Sequence, residues 1–475
     1  MGRRAEPTRP PRERILVCGV RLREPVDPRT KNRAGAPRPV SSSSDDLGEV
    51  RALVEASGAD VVGEGLLQRR ERPVAATLMG RGKVGEVAEE VRREKPDAVV
   101  VDNDLTPAQV RNLEKAWGCR VIDRSELILD LFASRAQTRQ ARLQVELAQN
   151  EYLLPRLRRM WTHLERTEGA IGTRGPGETQ LETDRRLLRR RVHELRAELS
   201  EIEARKQREV RSRADQFRVG LVGYTNAGKS TLLNALTGSD ELVADMPFAT
   251  LDTRTRRWRL SDGRTVLLSD TVGFVQHLPH HLVASFHATL EETLHADLLL
   301  HVIDASHPDA ATQMAAVDEV LAEIGSGRIP GLLVFNKVDR VEEPIRLQFL
   351  IGDRKEPTVF VSARTGEGLD RLDATVRGEL DARSAVVDVF LPAGDGKLLS
   401  DVRKLGGVLQ EDHLEGQAVT RLRTRLTEGA LGNLRRLAGD RARFVEVEPA
   451  SAPLLRVDEG GDRPEWLPDR NVSGG

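Results

Sequence analysis

The sequence has few cysteines, no long hydrophobic run and almost no net charge. The early apolar run Ile15–Val20 is far shorter than the roughly 18 residues of a membrane span and too short for a signal-peptide core. We therefore expect a cytoplasmic protein without a membrane anchor. Cys18 and Cys119 lie far apart and outside any reactive signature, which indicates a reduced protein without disulfide bonds.

The charge balance excludes a chain that is basic throughout. The 475 residues include 73 Lys and Arg against 74 Asp and Glu, so any attraction to nucleic acid must come from a local basic stretch. Apolar residues make up 39% of the chain, enough for about three or four domains with their own cores. The chain as a whole is therefore not expected to be disordered.

The order of apolar segments predicts five regions. Short apolar runs alternate with helix-length segments both early and late in the chain, and this alternation is typical of α/β domains. We predict a largely disordered basic, Pro- and Ser-rich N-terminus around one short strand (1–44), an N-terminal α/β domain (45–130), a basic helical hairpin (131–215), an α/β domain with a mostly parallel sheet (216–382) and a small C-terminal α/β or α+β module with a loose tail (383–475).

The α/β regions contain recognisable strands and one helix start. In the N-terminal domain we predict a buried strand at 97–102 and a helix with Thr106 as its N-cap and Pro107 at its first position. The predicted strands of the later regions are Val219–Val222, Thr265–Leu268, Leu298–Ile303, Leu332–Phe335, Thr358–Val361, Val386–Leu391, Ala418–Leu422 and Phe444–Val447, with a helix at Lys397–Leu405.

The region 131–215 shows no strand signal. Two of its segments have apolar residues at spacings of three, four and seven, and an antiparallel hairpin would let each helix bury a stripe that it cannot bury alone. Pro155 predicts a kink or break in the first helix. The region has 19 Lys and Arg against 13 Asp and Glu, which fits either a solvated face or contact with nucleic-acid phosphates.

A phosphate-binding loop is predicted at 223–230. Its pattern is glycine, four residues and then Gly-Lys-Ser, between an apolar strand and a helix. The glycines let backbone N–H groups point at a polyphosphate, Lys229 supplies a cation near the β- and γ-phosphates, and Ser230 offers a hydroxyl to Mg²⁺. The predicted nucleotide-binding residues are Gly223, Tyr224, Thr225, Asn226, Ala227, Gly228, Lys229 and Ser230.

A second motif, Asn-Lys-Val-Asp at 336–339, suits a guanine base. The Asp339 carboxylate can accept hydrogen bonds from the two adjacent N–H donors of guanine, a pairing that adenine cannot make. Asn336 can bond the base and neighbouring loops, and Lys337 can lie along the face of the base. A loop at 362–364 can present a backbone N–H to the guanine oxygen. The predicted guanine-binding residues are Asn336, Lys337, Val338, Asp339, Ser362, Ala363 and Arg364.

Two more segments are expected to respond to the γ-phosphate. Asp270 would hold Mg²⁺ through water, the N–H of Gly273 would meet the γ-phosphate, and Thr250 is the candidate second hydroxyl ligand of Mg²⁺. Hydrolysis removes the charge that holds both segments, so they should change with the nucleotide state. They add Phe248, Ala249, Thr250, Leu251, Asp252, Asp270, Thr271, Val272 and Gly273 to the GTP site; the predicted catalytic residues are Lys229, Thr250 and Gly273.

Phe274 departs from the commonest arrangement. Many Ras-like GTPases carry a Gln here that orients the attacking water, and a phenyl ring cannot do so. Catalysis therefore needs another group, either from a partner surface or from K⁺. Asn226 resembles the ligand seen in potassium-stimulated GTPases; the alternative for its side chain is a local loop hydrogen bond. Three histidines follow Phe274 in the sequence, His277, His280 and His281. They predict a polar loop rather than a metal site, because no Cys or carboxylate accompanies them at ligand spacing.

The chain resembles the HflX family of ribosome-associated GTPases, in the Obg–HflX group. The resemblance covers about residues 75–385 and includes, besides the nucleotide motifs, the segments Val121–Phe132, Gln144–Ala148 and Gly172–Arg186. Two features depart from the family pattern. Asp252-Thr253 stands where the family usually has Asp-Pro, and the Arg-, Pro- and Ser-rich segment 21–44 looks like an insert.

The resemblance implies a P-loop GTPase that binds the large ribosomal subunit and its RNA and is monomeric when free. It implies GTP hydrolysis stimulated by the ribosome and a role in splitting or rescuing stalled ribosomes or in subunit assembly. The hairpin is then an RNA-facing probe, with Arg174, Arg185 and Arg186 as predicted RNA contacts. Two other hypotheses stay open. One is a GTP-dependent protein-binding switch that uses the hairpin as a coiled-coil dock; the other is an ATP-dependent RNA remodeller with a second site at Gly80–Gly85, a segment that otherwise suits a helix start.

Overall fold

A computed structural model describes most of the chain. The described residues are 12–22, 47–160, 176–211, 216–239, 254–271, 273–274, 295–326, 329–343, 345–352, 354, 356–414 and 418–450. They fall into two compact units, and along the chain one unit ends at Leu199 and the other begins at Ser200.

The first unit contains a four-stranded parallel sheet. Its strand order is β2-β1-β3-β4, so β1 lies inside the sheet, hydrogen-bonded to both β2 and β3. The strand predicted within 1–44 is β1, and the domain therefore starts earlier than the predicted residue 45. The elements are β1 (Arg14–Leu22), α1 (Gly48–Ala56), β2 (Asp60–Arg70), α2 (Arg81–Glu94), β3 (Ala98–Val101), α3 (Pro107–Trp117), β4 (Arg120–Asp123) and α4 (Arg124–Arg135).

The predicted start of α3 is confirmed. The Thr106 hydroxyl accepts a hydrogen bond from the Gln109 N–H, and the Gln109 side chain accepts one from the Thr106 N–H, with Pro107 at the first helical position. This reciprocal pair satisfies two N–H groups that the first helical turn leaves without partners.

The hairpin consists of α5 (Arg139–Met160) and α6 (Pro176–Arg211). Arg139 pairs with Glu198 at 3.1 Å and Arg191 with Glu146 at 2.7 Å. The partners occur in opposite order along the two helices, which is the arrangement expected of an antiparallel pair. Helix α5 continues through Pro155, so the predicted break is wrong there. Residues 161–175, between the two helices, lie outside the described residues.

The second unit begins with a six-stranded sheet. Its order is β10-β9-β8-β5-β7-β6, and all neighbours are parallel except β6, which is antiparallel to β7. The five predicted strands are confirmed, whereas β6 is charged and was not predicted. The elements are β5 (Arg218–Gly223), α7 (Lys229–Thr237), β6 (Arg254–Arg259), β7 (Thr265–Asp270), β8 (Leu298–Asp304), α8 (Ala310–Glu323), β9 (Gly331–Asn336), α9 (Ile345–Ile351), β10 (Thr358–Phe360) and α10 (Leu369–Ala382).

A β-α-β-β-α-β module follows, and its antiparallel sheet has the order β12-β13-β11-β14. This is the ferredoxin-like arrangement. The predicted strands and helix are present; β12 and α12 are additional. The elements are β11 (Ser384–Pro392), α11 (Gly396–Leu405), β12 (Gly407–Leu414), β13 (Val419–Thr427), α12 (Glu428–Ala438) and β14 (Arg443–Glu448). The predicted loose tail lies outside the described residues.

None of the helices in the described part of the chain combines the length and the apolar character needed to cross a bilayer.

Candidate nucleotide-binding site

The loop between β5 and α7 holds a buried lysine. The Lys229 ammonium donates hydrogen bonds to the backbone carbonyls of Gly223 at 3.0 Å and Tyr224 at 2.8 Å, and its residue is only 7% exposed. Burial lowers the pKa of Lys229 to about 8, against the opposing effect of the Asp270 carboxylate. The Lys229 ammonium therefore lies at the carboxyl end of β5, enclosed by the loop between β5 and α7.

Two glycines of this loop are required by close contacts. Gly228 has φ +91°, and a Cβ there would lie 2.3 Å from the Asn336 amide nitrogen. A Cβ at Gly223 would lie 2.2 Å from the carbonyl oxygen of Val302. Any other residue at either position would clash with a neighbouring strand end, so the loop can only take this path with glycine.

Ser230 and Asp270 meet beside the lysine. The Ser230 hydroxyl donates to Asp270 Oδ2 at 2.8 Å, and Asp270 is buried at the end of β7. The next residue, Thr271, donates its hydroxyl to the Leu221 carbonyl at 2.6 Å, which fixes the end of β7 against β5. The two oxygen-bearing side chains predicted for Mg²⁺ are thus brought together.

The segment after Asp270 also reaches the loop. A Cβ at Gly273 would lie 3.0 Å from Lys229 Nζ, so this glycine passes directly over the ammonium group. Phe274 is buried, with its N–H bonded to the Gly223 carbonyl and its carbonyl bonded to the Thr225 N–H. These two backbone bonds join the Phe274 backbone to the phosphate loop.

Asn336 connects the phosphate loop to the predicted guanine loops. Its amide nitrogen donates to the Ala227 carbonyl at 2.9 Å, and its amide oxygen accepts the Ala363 N–H at 3.0 Å. The Ser362 hydroxyl donates to the Asp339 carboxylate at 2.7 Å, while Asp339 itself stays exposed. The Asn336 side chain therefore links its own loop to the phosphate loop and to the loop at 362–364. The Ser362 hydroxyl orients the Asp339 carboxylate, which is the group predicted to bind guanine. Val338 and Arg364 lie on the same two loops, buried and exposed respectively.

Asp304 is a member of this cluster that sequence reasoning missed. Its carboxylate lies 2.7 Å from Lys337 Nζ and also accepts bonds from the Ser306 N–H and hydroxyl. Lys337 adopts φ +62°, a conformation that non-glycine residues rarely take. The sequence could have indicated Asp304, because it directly follows the predicted parallel strand Leu298–Ile303, at the end of the strand where ligands commonly bind.

Several predicted residues lie outside the described part of the chain. They are Arg174, Phe248, Ala249, Thr250, Leu251, Asp252, Val272, His277, His280 and His281. Within the described part, no group of three or more His, Cys, Asp or Glu side chains could hold a metal ion.

The segment Gly80–Gly85, considered above as a second phosphate site, fits a helix start: α2 begins at Arg81, and the Gly80 N–H donates to Gln68.

Fold and site together define a P-loop GTPase. Three family models match the chain: GTP-binding GTPase N-terminal at residues 44–133, GTP-binding GTPase Middle Region at 135–213 and 50S ribosome-binding GTPase at 218–337.

Curated relatives narrow this class to one family. The chain is 46% identical to GTPase HflX of Escherichia coli K12 over 369 residues, covering 77% of this chain and 86% of the relative. It is 44% identical to GTPase HflX of Magnetococcus marinus over 417 residues, covering 87% and 93%. A GTP-binding protein from Sulfolobus solfataricus, solved with GDP, is 22% identical with a TM-score of 0.38 and covers 77% of this chain and 97% of its own. The chain belongs to the GTPase HflX family and is a GTP hydrolase.

Proposed function

We propose that the chain is a GTP-driven switch that binds the large ribosomal subunit and acts in translation in the cytoplasm, by splitting or rescuing stalled ribosomes or by aiding subunit assembly. The observation that carries the nucleotide part is the Asn336 side chain, which joins the phosphate loop to the loop that carries Ser362. The ribosomal part is supported by the match of residues 218–337 to a family described as 50S ribosome-binding GTPases.

In this proposal the loop residues act by charge and backbone donors. The Lys229 ammonium binds the β- and γ-phosphates, and Gly273, which lies close to that ammonium, binds the γ-phosphate through its N–H. Asp339 accepts the two N–H donors of guanine, and Lys337, held by Asp304, lies along the base. The roles of Thr250 and of the rest of 248–252 stay predictions.

The oxygen donors beside Lys229 fit Mg²⁺. Ser230 and Asp270 supply a hydroxyl and a carboxylate 2.8 Å apart, the ligand chemistry that Mg²⁺ prefers, directly or through water. When bound, the ion would neutralise phosphate charge. For K⁺, the candidate ligand is Asn226: it is exposed, adopts φ +60° and makes no side-chain hydrogen bond with any described residue, which disfavours the alternative of a local loop bond.

The hairpin supplies the proposed RNA contacts. Arg186 is exposed on α6, whereas Arg190 and Arg191 are engaged with Glu194 and Glu146. Arg185 lies one residue before Arg186 on the same helix, and Arg174 precedes α6. Some basic side chains of the hairpin are therefore engaged in ion pairs within it. Of the two described residues among the predicted RNA contacts, Arg186 is exposed and Arg185 is half-buried.

The test is cosedimentation with purified large ribosomal subunits. Wild type should pellet with the subunits in a non-hydrolysable GTP analogue and not in GDP, and Asp339→Asn should lose GTP-dependent pelleting because its amide cannot pair with both guanine N–H groups. Pelleting that survives RNase digestion of the subunits would support the protein-docking alternative instead. Equal binding of ATP and GTP by wild type would overturn the nucleotide assignment.

A comparison of salts tests the cation. GTP hydrolysis should be faster in KCl than in NaCl at equal ionic strength, and Asn226→Ala should remove the difference. Equal rates in the two salts would exclude K⁺ as the activator.

A further inference from the structure

Strand β6 carries an unusual density of arginine. Its six residues include Arg254, Arg256, Arg257 and Arg259 and no acidic residue, in a chain whose formal net charge is −1. The strand is the edge of the six-stranded sheet, paired only with β7 among the described strands.

Two of these arginines share one face of the strand. Trp258 is buried in the core with Val266 directly opposite it, so its neighbours Arg257 and Arg259 point to the other face. Both are exposed. Residues two apart along a strand are separated by about 7 Å, so the two guanidinium groups form a short cationic row at the sheet edge.

No described residue on this face neutralises the two arginines. The residues opposite Arg257 and Arg259 on β7 are Leu267 and Thr265, and neither arginine forms an ion pair with a residue that the structure describes. The C-terminal module shows the contrast: there Arg421 and Arg423 both bind the Asp388 carboxylate, at 2.6 and 2.8 Å. Paired arginines of that kind build structure, whereas Arg257 and Arg259 are exposed and pair with no described carboxylate.

We propose that Arg257 and Arg259 of β6 bind the phosphate backbone of RNA in the large ribosomal subunit. The proposal rests on the proposed function and names a second RNA-contacting surface, separate from the hairpin. Guanidinium groups suit phosphates because they offer several N–H donors in a fixed plane. Charged side chains also keep sheet edges from pairing with other chains, and that role alone would give no salt-dependent contact with RNA.

The experiment compares two double variants with equal charge change. Arg257→Gln/Arg259→Gln removes the β6 row but keeps a polar edge, and Arg435→Gln/Arg436→Gln removes two exposed arginines of α12. Binding to purified large subunits is measured with a non-hydrolysable GTP analogue over a series of KCl concentrations. GDP affinity of each variant verifies that the nucleotide site is intact.

The β6 variant should bind at least about tenfold more weakly at low salt, and the slope of log affinity against log salt should become shallower by about 1.5, the value for two lost phosphate contacts. The α12 variant should match wild type, and Arg257→Lys/Arg259→Lys should restore most of the slope. An unchanged slope in the β6 variant overturns the inference, whether or not affinity falls, and leaves the proposed function standing. Failure of wild type to bind the subunits overturns the proposed function itself.

Discussion

The parallel four-stranded sheet and the mostly parallel six-stranded sheet differ in what lies at the carboxyl ends of their parallel strands. In the GTPase sheet these ends carry the loop 223–230 with the buried Lys229, and also Asp270 and Asn336, whose side chains bond to that loop or to the helix that follows it. In the N-terminal sheet the corresponding ends carry Asp102 after β3 and Asp123 at the end of β4, and both carboxylates are filled by cations.

Asp102 is the centre of the first network. It is buried between Arg21, at 2.6 Å, and the equally buried Arg124, which also reaches Glu49 at 3.1 Å. A Cβ at Gly19 would already lie 3.2 Å from the Asp102 Cβ, so the space between β1 and β3 is filled. The strand order reverses between β1 and β3, and ligands of parallel sheets commonly bind at the carboxyl ends of the strands where this happens. In this sheet protein side chains occupy that position.

Asp123 ties the sheet to the hairpin. Its carboxylate accepts the Tyr152 hydroxyl at 2.8 Å and binds Arg156 at 2.7 Å, both from α5. Burial raises the pKa of Asp123, while the Glu126 N–H, Arg156 and Tyr152 oppose that rise. Glycine and backbone N–H groups dominate at the strand ends of the GTPase sheet, where we propose that the nucleotide binds. At the strand ends of the N-terminal sheet, arginine–carboxylate pairs instead hold neighbouring elements together.

The largest effect should come from removing Asp102. Asp102→Ala breaks two ion pairs and leaves Arg124 buried, so the free energy of unfolding of the first unit should fall by about 3–5 kcal/mol, with GDP affinity unchanged. Urea denaturation followed by hydrogen exchange of β1 and β3 peptides reports on this unit alone. Asp60→Ala is the matched control, because its pair with Arg12 is more than half exposed and should contribute less than about 1 kcal/mol. If Asp102→Ala lowered the unfolding free energy no more than Asp60→Ala does, or if it lowered GDP affinity, the proposed contrast between a structural and a nucleotide-binding sheet would be wrong.

Removing the lysine of the other sheet should act on activity instead. Lys229→Ala should slow GTP hydrolysis about 100-fold or more, since an oriented cation at the phosphates is lost, while the first unit keeps its unfolding free energy. Single-turnover phosphate release measures the rate. Lys397→Ala, an exposed lysine of α11, should behave like wild type. Hydrolysis within about threefold of wild type would show that Lys229 does not face the phosphates.

The nucleotide motifs could be predicted because they are local. Glycine at 223 and 228 and the order of Asn336, Lys337 and Asp339 follow from spacing alone, and the strands before them are short apolar runs. The cap of α3 at Thr106 is equally local, since the bonds lie within three residues of each other.

The remaining features depend on distant parts of the chain. Strands β6 and β12 are edge strands with mostly exposed side chains. Arginine dominates β6, and β12 mixes polar and apolar residues, so neither has the buried apolar run that marks a central strand. The bonds of Asp304 to Lys337 and of Asp102 to Arg21 and Arg124 join residues 22 to 81 positions apart. Pro155 was expected to kink or break α5. The helix continues through it, and we attribute this to the packing of α5 on α4 and α3, which a local signal cannot show.

A third prediction concerns the pH dependence of the GTPase site. Burial lowers the pKa of Lys229 to about 8 in the free chain, and bound phosphates favour the ammonium and raise that pKa. Above pH 8 the free chain has lost a proton that the complex retains, so the dissociation constant of GDP should rise about tenfold per pH unit. Below pH 8 both states carry the proton and affinity should be flat. Calorimetry in buffers of different ionisation enthalpy counts the proton directly; binding without proton uptake near pH 9 would contradict the assignment.

The smallest predicted effect compares the two helices that begin at these carboxyl ends. Helix α3 has its first N–H groups satisfied by Thr106 and Gln109, whereas α7 begins after Gly228 with no side-chain cap, so its first turn keeps N–H groups available for phosphates. Thr106→Ala should lower the unfolding free energy of the first unit by about 1 kcal/mol, and Thr106→Gly by only a few tenths. Both are measured by the hydrogen-exchange assay used for Asp102, and neither should alter GDP affinity. Equal losses for Ala and Gly would mean that Thr106 acts through packing. The contrast between a capped helix and a helix proposed to bind phosphates would then rest on α7 alone.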